Sequence, residues 1–505
     1  MLLLNNIMSL KSYLSIPISK LIVSRQNKSM KNAIYLQKKI MKKLVKKSDK
    51  TLFGLDHDFS KIKNYQNFKE NIPIREYEDF KYYIEKILNN EKNILWPGIP
   101  KYFAKTSGTT SGTKYIPITR QSIPNHIFSA NQMLLNYIYE KKSGEFLNGH
   151  YLFLSGSPEL TKKGNIFSGR LSGIVNHHIP FWIKKNYLPS FSTNCIPEWE
   201  KKIERIVKET EKKNITIIGG IPPWIQMYFD LLIKKTGKKI KDVFPNLKLL
   251  CHGGVNFKPY KDILFDSIGK KIDTLETYPA SEGFFAFQNI SYEDGLLLQI
   301  NSGIFYEFIP LEEYHKKNRT RISLKDVELN KNYALIINSN AGLWGYSIGD
   351  TIKFVSLNPY KIIVTGRVKH FLSAFGEHVI SNEIETAITK TCKKFKEVKI
   401  TEFTVAPSIN SKSSFSCHEW YIEFKEEPRK LEEFEKILDS QLCKLNLYYK
   451  DLIYGKILKK LKIKKLKKDS FINYMKSINK LGGQNKVPRL SNDRKIVEKL
   501  EQYLN

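Results

Sequence analysis

A short loop near residue 110 combines hydroxyl groups, flexible backbone and a fixed positive charge. It reads Lys105-Thr106-Ser107-Gly108-Thr109-Thr110-Ser111-Gly112-Thr113-Lys114. The two glycines allow backbone N–H groups to turn toward an anion, the hydroxyls can donate to its oxygens, and Lys114 supplies a point charge. It is not a Walker A motif, because Thr113 separates Gly112 from Lys114. The pattern indicates a phosphate-binding loop, although a solvated Ser/Thr/Gly loop would have a similar composition.

A second group of candidate residues lies at 278–282. Tyr278 offers an aromatic face on which a base can stack, Ser281 a hydroxyl for a phosphate oxygen, and Glu282 a carboxylate for a hard cation such as Mg²⁺. A buried tyrosine followed by a capping serine would look similar. This group alone therefore does not decide between a nucleotide site and a structural turn.

A glycine-flanked histidine and a turn aspartate extend the candidate set. His252, Gly253 and Gly254 bring a histidine and bare backbone to one place, where the histidine is either a ligand-binding or a structural residue. Asp350 offers a carboxylate for sugar hydroxyls, although an aspartate after glycine is also a common turn residue.

Two basic residues complete the set. Arg367, at the junction of two predicted domains, is suited to contact a phosphate or a ribose. Lys486 lies in the glycine-containing segment GGQNKVP at 482–488, where it either approaches a ligand or is simply solvated.

Alternating strands and helices predict how these residues are brought together. Short apolar runs at 215–218, 247–250 and 272–277 are separated by helical patterns, which implies a parallel sheet with right-handed crossovers. Ligands of such sheets bind at the carboxyl ends of the strands. Gly219, His252 and Tyr278 are therefore expected at one edge of the sheet.

Beyond residue 295 the apolar period changes to two. Segments 296–300, 304–308 and 333–337 are typical of antiparallel strands in a small barrel or second sheet. A smaller α+β unit begins near residue 369, and Asn382 with Glu385 forms a capping-box pattern for a helix in it.

These patterns predict an α/β fold class. We expect a large N-terminal domain of mostly parallel sheets flanked by helices, with a small β-barrel-like part, and a smaller α+β C-terminal domain. The predicted boundaries are 1–50 for a helical N-terminal segment, 51–367 for the large domain and 368–505 for the small, mobile domain. A chain of 505 residues is too long for one ordinary core, which agrees with this division.

The formal charge of +33 raises the possibility of a polyanion partner. The excess is mainly lysine spread along the chain, which favours a compositional bias over a nucleic-acid-reading surface. The densest run, 456–468, has leucines and isoleucine between its lysines. It is interpreted as a strand with a solvated basic edge, and a polyanion site is the alternative.

Cysteine content and hydropathy indicate where in the cell the protein is expected. Five cysteines without a Cys-x-x-Cys pair indicate a reducing compartment and no zinc site. Polar residues and Pro17 interrupt the apolar start of the chain, so no signal peptide or membrane span is predicted. We expect a cytoplasmic monomer with no nucleic-acid partner and no stable membrane insertion.

The ordered set of motifs resembles a known family. The motifs are TSGTTSG at 106–112, GIPPW at 220–224, HGGV at 252–255, TYPASEG at 277–283, IFYEFIP at 304–310, YSIGD at 346–350, GRVKHF at 366–371 and GGQNKVP at 482–488. Together they resemble the adenylate-forming superfamily and, within it, the Gretchen Hagen (auxin-responsive promoter) family of acyl-acid amido synthetases, bacterial branch.

The resemblance implies ATP-dependent activation of a carboxylic acid to an acyl-adenylate, with release of pyrophosphate, followed by attack of an amine, usually an amino acid. ATP and Mg²⁺ are the implied cofactors. The implied roles are as follows: residues 106–112 bind ATP phosphates, Tyr278 stacks on adenine, Ser281 contacts the α-phosphate, Glu282 binds Mg²⁺, Asp350 and Arg367 hold the ribose, and Lys486 approaches the α-phosphate.

Some parts of the chain depart from the family pattern or are hard to assign. His370 stands where the superfamily typically has an acidic hinge residue, so the domain rotation of acyl-CoA synthetases is not transferred in detail. Trp224 and Phe284 are candidates for the acyl pocket, although an apolar residue beside a sheet is more often part of the core. Two alternatives remain: an acyl-CoA ligase or another adenylate-forming enzyme, and a basic, non-catalytic polyanion-binding protein.

Overall fold

The computed structural model describes residues 10–107, 113–179, 181–254, 257, 260–291, 295–368, 371–372, 379–408, 417–454, 458–482, 485–491 and 494–505. Internal contacts divide the chain into two compact units. The large unit comprises Met1–Val255, Phe265–Ile348 and Ile352–Ile363, and the small unit comprises Asn256–Leu264, Gly349–Thr351 and Val364–Asn505. The α/β class, with a large N-terminal and a smaller C-terminal part, is confirmed.

The first half of the chain is rich in helices. They are α1 (Leu10–Lys31), α2 (Ala33–Ser48), α3 (Leu52–Asp56), α4 (Tyr65–Asn71), α5 (Lys81–Leu88), α6 (Ile123–Lys141), α7 (Leu171–Asn176), α8 (Phe181–Lys184), α9 (Phe191–Asn194), α10 (Trp199–Thr210), α11 (Pro222–Thr236), α12 (Ile240–Val243) and α13 (Lys261–Ile268). The Gln37 amide of α2 donates to the carbonyls of Ile300 and Ile304, which ties this N-terminal helix to the large unit.

The strands of this part are β1 (Tyr102–Ser107), β2 (Thr113–Ile118), β3 (His150–Phe153), β4 (Thr161–Lys163), β5 (Ile166–Gly169), β6 (Tyr187–Leu188), β7 (Ile215–Gly220), β8 (Leu249–Gly253), β9 (Asp273–Ala280), β10 (Gly283–Phe287), β11 (Leu296–Leu298), β12 (Ile304–Pro310), β13 (Ile322–Ser323), β14 (Asn332–Ser339), β15 (Tyr346–Leu357) and β16 (Tyr360–Arg367). Four of them form a small sheet in the order β2-β1-β5-β4.

Twelve strands form one continuous sheet in the part of the chain that is described. Their order is β13-β12-β14-β15-β16-β11-β10-β9-β8-β7-β3-β6. The run β6-β3-β7-β8-β9 is parallel, as the alternation of strands and helices predicted. The strands after residue 295 include antiparallel pairs, also as predicted, but they continue the same sheet instead of forming a second one.

Local sequence explains the helices that flank the parallel strands. In α10, Trp199, Ile203, Ile206 and Val207 recur at helical spacing and are all buried. Helix α11 begins with proline, which has no backbone N–H to leave unpaired, and ends at Gly237, whose φ of +67° is the left-handed conformation that glycine adopts readily.

The remaining elements are β17 (Phe371–Leu372), β18 (Val379–Ile380), α14 (Ser381–Lys394), β19 (Lys399–Ser408), β20 (Cys417–Glu426), α15 (Leu431–Leu445), α16 (Leu447–Tyr454), β21 (Lys462–Leu466), α17 (Ser470–Ser477) and α18 (Lys495–Leu500). Strands β19, β20 and β21 form one sheet in this order. The predicted cap of α14 is displaced: Glu383, not Glu385, accepts from the backbone N–H of Ile380 before the helix begins.

The preferred interpretation of the lysine-rich run as a strand is confirmed for Lys462–Leu466, which is β21, whereas residues 456 and 457 lie outside the described residues. Strand β21 pairs in parallel with β20. Leu458, Leu461, Ile463 and Leu466 are buried, whereas Lys462 is exposed. The apolar residues of the run therefore have a structural role.

None of the described helices has the length and hydropathy needed to cross a membrane.

Candidate functional site

The carboxyl ends of the parallel strands meet at one edge of the twelve-stranded sheet. The backbone register places Gly220 beside His252, and Gly253 beside Thr277. Gly219 pairs with Cys251 in the same ladder. The predicted meeting of Gly219, His252 and the end of β9 is therefore found in the structure. We refer to this edge as the strand-end edge.

His252 is almost fully enclosed at the strand-end edge. Its residue exposure is 3%, and burial lowers the pKa of the imidazole to about 3. The ring is therefore neutral near pH 7 and does not offer a positive charge to a phosphate. Its carbonyl accepts a hydrogen bond from Thr277 Oγ1 at 3.0 Å. These contacts favour the structural interpretation of this histidine.

Gly253 permits a close approach between β8 and β9. A Cβ atom at this position would lie 2.5 Å from both the carbonyl oxygen and Oγ1 of Thr277, which is far inside van der Waals contact. The following residue, Gly254, has a φ of +82°, a conformation that side chains disfavour. Both glycines are therefore required by the backbone at this edge.

Tyr278, Ser281 and Glu282 lie at the hairpin formed by β9 and β10. Ala280 pairs with Gly283, so Ser281 and Glu282 form the two-residue turn. Tyr278 is buried, and its ring centroid lies 5.1 Å from that of Phe285 on β10. Ser281 and Glu282 are partly exposed at the tip of the hairpin.

Glu282 has the properties of a single carboxylate ligand. Its Oε1 accepts a hydrogen bond from the Tyr346 hydroxyl at 3.3 Å, which orients the carboxylate. The described residues contain no group of three His, Cys, Asp or Glu side chains able to hold a metal ion. Mg²⁺ is commonly bound by one or two carboxylates together with substrate phosphates and water. The residue therefore fits the Mg²⁺ role that the sequence predicted.

The predicted phosphate loop is described only at its base. Thr106 and Lys114 face each other across β1 and β2. The Lys114 ammonium lies 5.4 Å from the centre of the Tyr77 ring, and the Tyr77 hydroxyl accepts from the backbone N–H of Tyr115 at 2.8 Å. The predictions for Gly108, Thr109, Thr110, Ser111 and Gly112, and for the Ser107 side chain, lie outside the described residues.

The other three predicted residues lie together in the small unit. Arg367 Nε donates to Asp350 Oδ1 at 2.7 Å, and the Asp350 side chain is 15% exposed. The backbone N–H of Val368 donates to the carbonyl of Gly349, which fixes the two segments that carry this ion pair. Asp350 and Arg367 thus position each other.

Lys486 is electrostatically coupled to this ion pair. The residue as a whole is exposed, yet desolvation of the ammonium lowers its pKa to about 8; Asp350 acts to raise this pKa and Arg367 to lower it. Asp350, Arg367 and Lys486 are hereafter the small-unit charge cluster. An ammonium with such a pKa is mostly protonated at pH 7 and so carries the charge that a phosphate attracts.

Arg489, which the sequence analysis did not single out, anchors the segment that carries Lys486. Its Nε donates to Glu385 at 3.2 Å, and its other nitrogens contact the Glu402 carboxylate and the Tyr260 hydroxyl. The guanidinium lies 4.5 Å from the centre of the Phe403 ring. Because these partners are distant in sequence, no local pattern could have revealed them.

Backbone pairing reinforces this anchor. The carbonyl of Arg489 accepts from the Val405 N–H at 2.9 Å, and the Ser491 N–H donates to the carbonyl of Val405 at 3.0 Å. Thr404 Oγ1 donates to the carbonyl of Pro488 at 2.7 Å. The chain just after Lys486 therefore forms an isolated parallel bridge with β19, between Leu490 and Val405.

Trp224 and Phe284 both occupy core positions. The Trp224 ring lies 4.8 Å from that of Trp199, between α11 and α10. The Phe284 N–H donates to Asn125 Oδ1 at 2.7 Å, and Asn125 Nδ2 donates back to the Phe284 carbonyl at 3.0 Å. Asn125 on α6 thus clamps β10, another contact without a local sequence signal. These positions agree with the core alternative that the sequence analysis considered.

Comparison with solved structures identifies the fold. A 2-hydroxyisobutyryl-CoA ligase in the postadenylation state, in complex with 2-HIB-AMP, aligns over 95% of this chain and 92% of its own, with a TM-score of 0.56 and 13% identity. The chain belongs to the GH3 family. Residues 22–194, 297–367 and 382–495 match the N-terminal, central and C-terminal domains of that family, respectively.

Individual proteins are similar to this chain over most of its length. Indole-3-acetic acid-amido synthetase GH3.15 of Arabidopsis thaliana is 21% identical over 86% of this chain and 87% of its own length. Jasmonoyl–L-amino acid synthetase JAR4 of Nicotiana attenuata is 20% identical over 64% of this chain and 67% of its own length. The solved structure of the AtGH3.15 acyl acid amido synthetase in complex with 2,4-DB covers 96% of each chain with a TM-score of 0.79 and 17% identity.

Proposed function

We propose that this chain is an ATP-dependent acyl-acid amido synthetase, a ligase that forms an acyl-adenylate and transfers the acyl group to an amine, an amino acid being the expected acceptor. The observation that carries the proposal is the β9–β10 hairpin. It presents the Ser281 hydroxyl and the Glu282 carboxylate at the end of a parallel strand. The neighbouring strand ends at Gly253, where a Cβ atom would collide with Thr277. The family membership of the chain supports the same activity.

In the first half-reaction, an oxygen of the substrate carboxylate attacks the α-phosphorus of ATP, and pyrophosphate leaves. Negative charge increases on the α-phosphate oxygens in the transition state, so fixed positive charge and hydrogen-bond donors lower the barrier. Ser281 would donate to an α-phosphate oxygen, and Lys486 would supply its ammonium. Tyr278 would present its ring to adenine, and Thr106 with the loop after it would contact the distal phosphates.

Glu282 would hold Mg²⁺, which neutralises phosphate charge when bound. Tyr346 keeps the carboxylate oriented for this role. Asp350 and Arg367 would bind the ribose, one as an acceptor for its hydroxyls and one as a donor. Gly253 and Gly254 would let a nucleotide approach the backbone beside His252.

In the second half-reaction, the amine nitrogen attacks the acyl carbon of the mixed anhydride, AMP leaves, and the amine loses a proton. Motion of Lys486 with a small C-terminal domain beginning near residue 368 would let one site serve both steps.

We place Trp224 and Phe284 behind the acyl pocket. We also propose a bacterial origin within the family, a monomeric chain, a cytoplasmic location, and a small acid and amine as the partners.

Pyrophosphate exchange into ATP tests this function directly. The assay contains Mg²⁺ and a panel of aromatic, fatty and keto acids, and compares the native chain with Glu282→Ala. We expect exchange that depends on the acid and falls at least about 100-fold in Glu282→Ala. Glu145→Gln, which changes an exposed carboxylate of the same unit, should leave the rate unchanged. Exchange that survives in Glu282→Ala would contradict the proposed Mg²⁺ role.

The acceptor needs a separate test, because an acyl-CoA ligase shares this fold. The active acid is incubated with ATP and either an amino acid mixture or coenzyme A, and products are identified by mass spectrometry. An amide product supports the proposal. A thioester product alone would favour the acyl-CoA ligase.

A further inference from the structure

A buried lysine lies away from the residues assigned to adenylation. Lys202 on α10 is 3% exposed, and its ammonium donates to the carbonyls of Ser155 and Asn194, each at 2.8 Å. An ammonium has three N–H donors, so these two bonds leave one donor for another group. Among the described residues, no carboxylate lies within ion-pair distance of it.

A second cation, Arg170, interacts electrostatically with Lys202. Arg170, which precedes α7, is partly buried, and no described residue forms a hydrogen bond or ion pair with its guanidinium. Its side chain packs against Gly156, where a Cβ atom would lie 2.7 Å from Arg170 Cδ. Because Ser155 contacts Lys202 and Gly156 contacts Arg170, two adjacent residues of one loop connect the cations.

Two further buried polar atoms lie in this loop region. Asn194 is fully buried; its Nδ2 donates to Ser155 Oγ, but its Oδ1 has no hydrogen-bond partner among the described residues. Ser172 Oγ is also buried without such a partner, and it would lie 3.5 Å from a Cβ atom on Gly156. Buried polar atoms are normally hydrogen-bonded. The Ser172 hydroxyl can donate to an acceptor such as a carboxylate, whereas Asn194 Oδ1 only accepts and needs a donor, such as the ammonium of an amino acid.

The charges identify the kind of occupant. Two desolvated cations without a described counter-ion are unfavourable unless an anion joins them. Burial lowers the pKa of both groups. The Cys195 thiol acts to raise the pKa of Lys202, and Arg170 acts to lower it. A guanidinium fork with an adjacent ammonium matches the two oxygens of a carboxylate.

We propose that Lys202, Arg170 and the Ser155-Gly156 loop bind the carboxylate group of a small molecule. The loop follows the carboxyl end of β3, where the Leu154 N–H donates to the Gly219 carbonyl on β7. Strand β8 is two strands away, which is about 10 Å at the usual strand spacing. The carboxylate site therefore belongs to the strand-end edge but is separate from the β9–β10 hairpin.

Two sources have this chemistry: an amino acid acceptor and a free mono- or dicarboxylate. Assigning the first source rests on the proposed function, whereas the site itself does not. Isothermal titration with glutamate, alanine, glutarate and propionate, without ATP, separates the two sources. Tighter binding of an amino acid than of its amine-free analogue indicates the acceptor. Equal binding indicates a free carboxylate.

Variants test the residues. Lys202→Met and Arg170→Gln should each weaken binding of the tightest probe by about 10- to 100-fold, because each removes a charged hydrogen bond. The matched control is Lys201→Met, the adjacent lysine, whose side chain is 70% exposed and paired with Glu198. It should bind like the native chain. Arg170→Lys, which keeps the charge but loses the fork, should give an intermediate affinity.

The proposal is overturned if no probe binds the native chain at millimolar concentration, or if folded Lys202→Met and Arg170→Gln bind as it does. If Lys202→Met fails to fold, the two Arg170 variants decide. Acid-dependent pyrophosphate exchange requires no acceptor and so reports on the proposed function separately. Intact exchange without carboxylate binding would refute the carboxylate site alone. Binding lost in the variants, in a chain without exchange, would refute adenylation alone.

Discussion

The candidate residues of the two units are held in place by different forces. In the large unit, the β9–β10 hairpin is fixed by strand pairing and by aromatic packing of Tyr278 on Phe285. In the small unit, the charge cluster depends on the Asp350–Arg367 ion pair and on the buried contacts of Arg489. Substitutions that change side-chain shape should therefore have the larger effect in the large unit, and substitutions that change charge should have the larger effect in the small unit.

The largest effect on stability is expected from Arg489→Met. Removing the guanidinium leaves Glu385 and Glu402 buried without their counter-ion, which should cost about 3–5 kcal/mol of unfolding free energy. Urea unfolding of the full chain, followed by tryptophan fluorescence, measures it. The control is Lys465→Met: Lys465 pairs with Glu427, and both side chains are partly exposed, so its loss should cost about 1 kcal/mol or less. Equal costs would contradict the anchoring role of Arg489.

Lys486→Ala should act on chemistry rather than on folding. We expect acid-dependent pyrophosphate exchange to fall about 100- to 1,000-fold, because a charge that stabilises the transition state is lost. ATP affinity, measured by titration, should change much less. Lys480→Ala, an exposed lysine of the same unit, serves as the control. Equal loss of exchange and of ATP affinity would show that Lys486 contributes only to binding.

A shape change in the large unit should have a smaller effect. In Gly253→Ala the new methyl group would collide with Thr277, so β8 and β9 must separate, at a cost of about 1–3 kcal/mol. Both the unfolding midpoint and the exchange rate should fall. Gly237→Ala, where a Cβ atom meets nothing within 4 Å, should lower the midpoint less and leave exchange intact. An unchanged exchange rate in Gly253→Ala would show that the nucleotide does not bind at this edge.

The smallest effect is the pH dependence of exchange. The Lys486 pKa is lowered to about 8, so the cation is present below this pH and is lost as pH rises through it. Exchange should fall about tenfold by pH 9, in proportion to the protonated fraction. In Lys486→Arg the guanidinium stays charged, so this fall should disappear even if the rate is lower. A fall that persists unchanged in Lys486→Arg would come from another group.

The sequence predicted the parts of the site that rest on local patterns. The parallel strands and their shared edge follow from short apolar runs separated by helical patterns, and β21 follows from apolar residues between lysines. Long-range contacts were not accessible in this way. The Asn125 clamp on Phe284 and the contact of Arg489 with Tyr260 join residues more than 150 positions apart, so nothing in the neighbouring sequence encodes them. The burial of His252 likewise depends on how the tertiary structure encloses it.

The continuous twelve-stranded sheet limits how this protein can be dissected. The family's central domain, residues 297–367, includes strands β12 to β16 and the last two residues of β11, and Leu297 of β11 pairs with Phe287 of β10. Expressing that segment alone would leave the side of β11 that normally pairs with β10 as an open edge, and deleting it would open the facing side of β10. Open edges template aggregation. The central domain is thus a unit of family classification, and we do not expect it to fold alone, so truncation studies should keep the strands of the twelve-stranded sheet together.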